Sequence, residues 1–98
     1  MSIKKEVLNY FKQNKDRFKK EYGIKKIYLF GSVAREEDDK NSDIDLLVKF
    51  DHSKPMTLNR FFGIIEELEN KFNKKIDLAE SLKNIAYKAA KKDFINVF

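Results

Sequence analysis

The chain of 98 residues has 21 Lys and Arg against 16 Asp and Glu, a formal net charge of +5, and 42% of its residues are hydrophobic. This length suits one domain with one core, and we expect residues 1–98 to form that domain. The chain lacks cysteine, which excludes a disulfide scaffold and a thiolate metal site. Its apolar runs are far shorter than the ~18 residues that span a bilayer, so we expect no membrane partner. Together these features favour a cytoplasmic α/β protein.

The N-terminal third predicts a helix followed by a strand. Apolar residues recur over residues 3–22 at steps of three, four and seven positions, which is typical of one amphipathic helix. Ser2 suits the N-cap, and Gly23 suits the left-handed position after the last turn. Residues 24–30 are β-branched and aromatic and end at a Gly-Ser pair, which indicates a strand followed by a turn.

The rest of the chain predicts alternating helices and strands. The elements are a helical turn at 33–37, a polar loop at 38–42, a strand at 43–50, a helix at 57–72, a strand at 75–80 and a helical segment from 85. The tail at 94–98 fits a helix end or a short edge strand. This order predicts the α/β (α+β) class, a small mixed β-sheet with helices packed on it.

The predicted helix at 57–72 requires an apolar face that packs on the sheet. We expect this face to consist of its apolar residues Leu58, Phe61, Phe62, Ile65, Leu68 and Phe72. Gly63 lies inside this helix, where glycine costs about 1 kcal/mol relative to alanine, and its presence there suggests a close approach to the sheet.

Charge is distributed unevenly along the chain. Residues 1–30 contain nine Lys or Arg and three Asp or Glu, whereas residues 36–51 contain seven acids and two lysines. The acidic centre argues against direct nucleic-acid binding, because it would repel phosphates. Acids next to a glycine turn favour a metal site or a loop instead.

Three carboxylates form the candidate metal site. Asp43 and Asp45 are two positions apart on a predicted strand, so their side chains lie on the same face. Adjacent carboxylates repel unless a cation lies between them, and their hard oxygen atoms suit Mg²⁺ or Mn²⁺. Asp77 is an acid in an otherwise apolar strand. If that strand neighbours the first, the three carboxylates can hold two cations about 4 Å apart, an arrangement used in nucleotidyl transfer.

A candidate phosphate site precedes these acids. Gly31 and Ser32 end a predicted strand before a helical turn, where backbone N–H groups and a hydroxyl can face an anion. Arg35 is one turn further on and could face the same anion. Taken singly, the Gly-Ser turn, the Asp-x-Asp pair and Asp77 each have an ordinary structural reading as a turn, a cap or an edge-strand acid. Lys74 and Lys75 precede the Asp77 strand and fit either triphosphate binding or ordinary flanking lysines.

The combined pattern resembles a known family. Residues 29–35 read LFGSVAR and residues 42–48 read SDIDLLV, with ten residues between Ser32 and Asp43. This pattern strongly resembles the minimal nucleotidyltransferase domains of the DNA polymerase β superfamily, and the resemblance extends over residues 24–80. It implies the nucleotidyltransferase fold and transfer of a nucleoside monophosphate from a nucleoside triphosphate, usually ATP.

The resemblance also implies residue roles. Gly31 and Ser32 would hold the triphosphate, and Asp43 and Asp45 would ligate both Mg²⁺ ions. Asp77 matches the third carboxylate, which ligates the catalytic metal and helps to activate the attacking hydroxyl.

The chain departs from the family pattern after Arg35. Many members have glycine after the Ala-Arg pair, whereas this chain has Glu36 and Glu37. The departure affects two features that the resemblance implies, namely the contact made by Arg35 and the shape of the loop around it.

Short members of the family resemble the antitoxins of toxin–antitoxin pairs. The resemblance implies a HEPN-domain ribonuclease toxin as partner, neutralised by transfer of AMP to a tyrosine. Two alternatives stay open: a module that neutralises its partner by binding alone, and a nucleotidyltransferase for small molecules. The second alternative normally requires an additional helical domain.

Overall fold

The computed structural model describes residues 2–51, 53, 57–80 and 94–98. The elements in chain order are α1 (Ile3–Gln13), α2 (Lys15–Tyr22), β1 (Ile24–Phe30), α3 (Gly31–Ala34), β2 (Ile44–Phe50), α4 (Leu58–Phe72), β3 (Ile76–Ala79) and β4 (Ile95–Asn96). The helical segment predicted from residue 85 lies outside the described residues. In the described part of the chain, no helix is long and apolar enough to cross a membrane.

The four strands form one mixed sheet in the order β3-β2-β1-β4. β1 is antiparallel to both β2 and β4, and β2 is parallel to β3. The mixed α/β class is therefore confirmed, and the tail at 94–98 contributes an edge strand rather than a helix end. β2 starts at Ile44 instead of Asp43, and the turn after β1 starts at Gly31 instead of residue 33.

The predicted helix at 3–22 is two helices, which corrects the sequence interpretation. Asn14 separates α1 from α2 with φ −112° and ψ 14°. Its side-chain amide donates a hydrogen bond of 2.8 Å to the carbonyl oxygen of Tyr10. Asparagine breaks the helix here because its side chain competes for a backbone acceptor. Both predicted caps are confirmed: the Ser2 hydroxyl accepts a hydrogen bond from the Lys5 amide, and Gly23 has φ +67°.

The core lies between the helices and one face of the sheet. On β2, alternate residues face this core: Ile44, Leu46, Val48 and Phe50. Asp45 and Leu47 therefore point to the opposite face. Burial of this apolar surface is the main force that holds the sheet and the helices together.

Helix α4 uses part of the predicted face: Leu68 and Phe72 are buried, and Phe61 and Ile65 pack half-buried against the core. Its buried residues are Ile64, Leu68 and Phe72, an i, i+4 ridge that packs on the sheet. Leu58 and Phe62 are 74% and 59% exposed, so their assignment to the core is wrong. The predicted close approach of Gly63 to the sheet is also wrong, because a Cβ atom there would meet only Tyr22 Cε1 of α2, at 3.9 Å.

Candidate active site

The turn after β1 is shaped by Gly31. This residue begins α3 with φ +77°, in the left-handed region that favours glycine. A Cβ atom at this position would overlap Asp45 Oδ2 and lie 3.0 Å from Asp45 Cγ. Glycine is therefore required here both for the backbone angle and for the close approach of the Asp45 carboxyl group. Ser32 follows in the same turn and is half-buried.

The three predicted acids come together at one end of the sheet. Asp45 and Asp77 are direct partners in the parallel β2–β3 register, and their side chains are close enough to interact electrostatically. Asp43 immediately precedes β2 and lies close enough for its charge to act on Asp45. Asp43 and Asp45 are half-buried, whereas Asp77 is exposed. The adjacency of the two strands, on which the sequence prediction depended, is confirmed.

The environment of Asp45 disfavours its charged form. Burial raises the pKa of Asp45 from 3.8 to about 6, assisted by the charges of Asp77 and Asp43. The charge of Arg35 acts in the opposite direction. Near neutral pH the cluster concentrates negative charge that a bound cation would offset.

Arg35 ends the α3 turn, and its charge acts on Asp45. Its Nε atom donates a hydrogen bond of 2.9 Å to Glu37 Oε2. This places a guanidinium near both the Gly31 turn and Asp45, with a carboxylate of its own chain as partner. The contribution of Glu37 was not predicted from the sequence, although opposite charges two residues apart in a turn were the available signal.

Glu36 occupies the position where many members of the resembled family have glycine. It has φ +58°, the left-handed conformation that glycine adopts without strain. Its carboxylate lies 3.5 Å from Lys4 Nζ of α1. The sequence departure therefore keeps a glycine-type backbone conformation and adds an ion pair to the first helix.

The donor chemistry of this cluster fits a divalent cation. Carboxylate oxygens are the ligands that Mg²⁺ and Mn²⁺ prefer. Over the residues that the structure describes, no three His, Cys, Asp or Glu side chains are gathered closely enough to enclose a metal ion. The three acids thus form a cluster with an exposed member, Asp77, rather than a closed cage.

Sequence comparison places the chain among nucleotide-transferring proteins. The family described as nucleotidyltransferase domain matches residues 11–96. A protein of Methanocaldococcus jannaschii assigned as a protein adenylyltransferase is 36% identical over 78 residues, which cover 80% of this chain and 78% of that protein. Protein adenylyltransferase MntA of Thermococcus cleftensis is 30% identical over 86 residues, which cover 86% of this chain and 85% of that protein.

Solved structures share the fold. One assigned as a minimal nucleotidyltransferase has a TM-score of 0.72 and 26% identity, and the match covers 97% of this chain and 95% of that chain. A crystal structure of a toxin–antitoxin with AMP-PNP has a TM-score of 0.65 and 17% identity, and the match covers 98% of this chain and 73% of that chain. At that identity the second likeness concerns the fold alone. The family resemblance inferred from the Gly-Ser and Asp-x-Asp motifs is confirmed.

Proposed function

Because the chain belongs to the nucleotidyltransferase domain family, we propose that it transfers AMP from ATP to a protein hydroxyl. The acceptor is a tyrosine of a HEPN-domain ribonuclease toxin in the cytoplasm, and the chain is the corresponding antitoxin. Relatives named as protein adenylyltransferases, one of them an MntA protein, support the choice of AMP and of a protein acceptor.

The observation that carries this proposal is the register of the two neighbouring strands. Asp45 lies directly opposite Asp77. Asp43 and Gly31 both lie close to the Asp45 carboxyl group. In the proposal these three acids hold two Mg²⁺ ions. When bound, the ions offset charge on the triphosphate and on the reacting oxygens.

The chain's own residues then orient the reactants. Gly31 and Ser32 hold the triphosphate. Arg35 exchanges its hydrogen bond with Glu37 for one with the triphosphate. The acceptor oxygen forms a bond to the α-phosphorus, the bond to the bridging oxygen breaks, and pyrophosphate leaves. The hydroxyl proton passes to Asp77, which is exposed and so accessible to an acceptor from another chain.

A protein acceptor fits the open side of the carboxylate cluster. We propose that residues 1–98 act as one domain and that the acceptor hydroxyl comes from a partner, because Asp77 is exposed and the relatives are named as protein adenylyltransferases. The toxin–antitoxin role is proposed from the family resemblance, the MntA relative supports adenylyl transfer to a protein, and the toxin–antitoxin structure contributes the fold alone.

A second candidate function is neutralisation by binding alone. The hydrogen bond from Arg35 to Glu37 favours it, because it engages a predicted phosphate ligand within the chain. The two functions differ in what happens to the partner: only the enzyme leaves a covalent change.

Intact-mass measurement of the partner separates these candidates. A HEPN-domain ribonuclease, the proposed partner, is incubated with the chain, ATP and Mg²⁺. We expect the partner to gain AMP with wild type and with Glu66→Gln, an exposed acid of α4 that serves as control. Asp43→Asn and Asp45→Asn should abolish the gain. Neutralisation of the partner without any gain in mass would establish the binding-only alternative.

A further inference from the structure

Lys74 ties the start of β3 to the loop before Asp43. Its ammonium group donates a hydrogen bond of 2.8 Å to the carbonyl oxygen of Asp39 and one of 3.3 Å to that of Ser42. These two residues bracket the loop, and Ser42 directly precedes Asp43. One side chain thus contacts both ends of the segment that leads into the carboxylate cluster.

The loop that Lys74 contacts is compactly folded. The Ser42 amide donates 3.1 Å to the Asp39 carbonyl oxygen, which also accepts from Lys74. The Asp39 carboxylate accepts from the Asn41 amide at 2.8 Å. A lysine ammonium has three donors, and two of them are used on this loop.

Two further hydrogen bonds fix the same corner. The Ile44 amide donates 2.9 Å to the carbonyl oxygen of Lys75, and the Ile76 amide donates 3.1 Å to Glu69 Oε2 of α4. The start of β2 is therefore attached to the segment that follows α4, and the start of β3 is attached to α4 itself. Lys74 lies in this segment, directly after Asn73, which ends α4 with φ +53°.

We infer that Lys74 is a positioning residue, which holds loop 39–42 so that Asp43 is presented to the same cation as Asp45 and Asp77. This inference rests on the proposed function, in which these acids bind the metal. It assigns Lys74 a task other than triphosphate binding, because its ammonium is already engaged with two backbone carbonyl oxygens.

Mn²⁺ binding to the nucleotide-free chain tests the inference. We expect Lys74→Met to weaken Mn²⁺ binding by about 10-fold or more, the usual size of the effect when a residue that orients a metal ligand is removed. Lys75→Met is the matched control, since Lys75 is the neighbouring lysine and takes part through its backbone carbonyl. Lys74→Arg, which keeps a charged donor, should stay close to wild type.

Amide hydrogen exchange supplies a readout that does not need the metal. Residues 41–43 should exchange faster in Lys74→Met than in wild type, while α1 is unchanged and reports that the variant folds. If Lys74→Met binds Mn²⁺ like wild type and only the KM for ATP rises, Lys74 is a triphosphate ligand and the inference is overturned. If wild type binds no Mn²⁺, the proposed metal site fails, and the role of Lys74 in presenting Asp43 to a cation fails with it. If wild type binds Mn²⁺ but exchange in residues 41–43 is unchanged in Lys74→Met, the metal site stands and the inference alone is overturned.

Discussion

Asp45 and Asp77 lie directly opposite each other on the parallel strands β2 and β3, close enough for Asp77 to raise the pKa of Asp45. Such an arrangement is costly for a protein without a cation, because two acids that repel each other are held together and one of them is half-buried. The pair of carboxylates therefore lowers the stability of the cation-free fold, and a bound cation would restore it.

Asp45→Asn should stabilise the cation-free chain near neutral pH. The pKa of Asp45 is raised from 3.8 to about 6, so the folded state holds its proton more tightly than the unfolded state does. Ionised Asp45 therefore lowers the free energy of unfolding above pH 6, and this cost disappears below its ordinary pKa. After allowance for solvent screening we expect a gain of about 1 kcal/mol at neutral pH.

Thermal unfolding with EDTA present measures this gain. The difference between Asp45→Asn and wild type should vanish when the pH is lowered below the ordinary pKa of an aspartate. Asp16→Asn, a change at an exposed acid of α2, is the control. An Asp45→Asn variant that is less stable than wild type at neutral pH would show that the carboxylate cluster is not strained.

Gly31→Ala should destabilise the fold, and Gly63→Ala should not. At Gly31 the backbone has φ +77° and a Cβ atom would overlap the Asp45 carboxyl group, whereas at Gly63 it would meet only Tyr22 at van der Waals distance. We expect a loss of about 1–3 kcal/mol at Gly31 and a gain of up to about 1 kcal/mol at Gly63 in α4. Urea unfolding of both variants measures this contrast, and equal effects would contradict the Gly31 geometry.

Glu67→Gln should remove a pH-dependent contribution to stability. The Glu67 carboxylate accepts hydrogen bonds from Arg17 of α2, from Tyr10 of α1 and from Tyr22 of α2. Chiefly because of Arg17, its pKa is lowered from 4.5 to about 2. This contribution is present above pH 4.5 and is lost as the pH falls towards 2.

The expected loss for Glu67→Gln is about 2 kcal/mol near neutral pH. Chemical unfolding at several pH values should show the gap to wild type closing in acid. Glu66→Gln, its exposed neighbour on α4, should change little at any pH. A gap that stays constant with pH would mean that packing, and not the charge of Glu67, stabilises this helix junction.

Glu37→Gln should lower the KM for ATP. The Arg35 guanidinium is hydrogen-bonded to Glu37 in the described structure, so a triphosphate must compete with that carboxylate. Because the pair is solvent-exposed, we expect only about a two- to fivefold decrease. Arg35→Met should raise the KM instead. Steady-state kinetics test both changes, and an unaltered KM in both variants would remove Arg35 from the nucleotide site.

Local sequence predicted the parts of the site that depend on short-range geometry. Residues close in sequence were sufficient to predict the strand at 24–30, the turn at Gly31 and the spacing of Asp43 and Asp45. The opposition of Asp45 and Asp77 depends on strand order, which tertiary packing decides over a long stretch of chain.

The errors in the predicted fold have the same origin. Residues Ile64 and Phe62 are both apolar and two positions apart on α4, yet one is buried and the other is 59% exposed. Periodicity describes a broad apolar face but does not specify which side of it meets the sheet. The break at Asn14 was not predicted because the spacing of apolar residues continues across it. The hydrogen bond from the Asn14 side chain to the Tyr10 carbonyl oxygen, which accompanies the break, leaves no trace in that spacing.

Label transfer from ATP to a protein tests directly whether the chain is a protein adenylyltransferase. Wild type is incubated with a HEPN-domain ribonuclease, the partner that we propose, with Mg²⁺ and with ATP labelled at either the α- or the γ-phosphate, beside Asp77→Asn and Glu66→Gln. We expect α-label alone to become covalently attached to this protein, with Glu66→Gln equal to wild type and Asp77→Asn inactive. Attachment of γ-label, or α-label transfer that persists in Asp77→Asn, would show that the three acids do not catalyse adenylyl transfer.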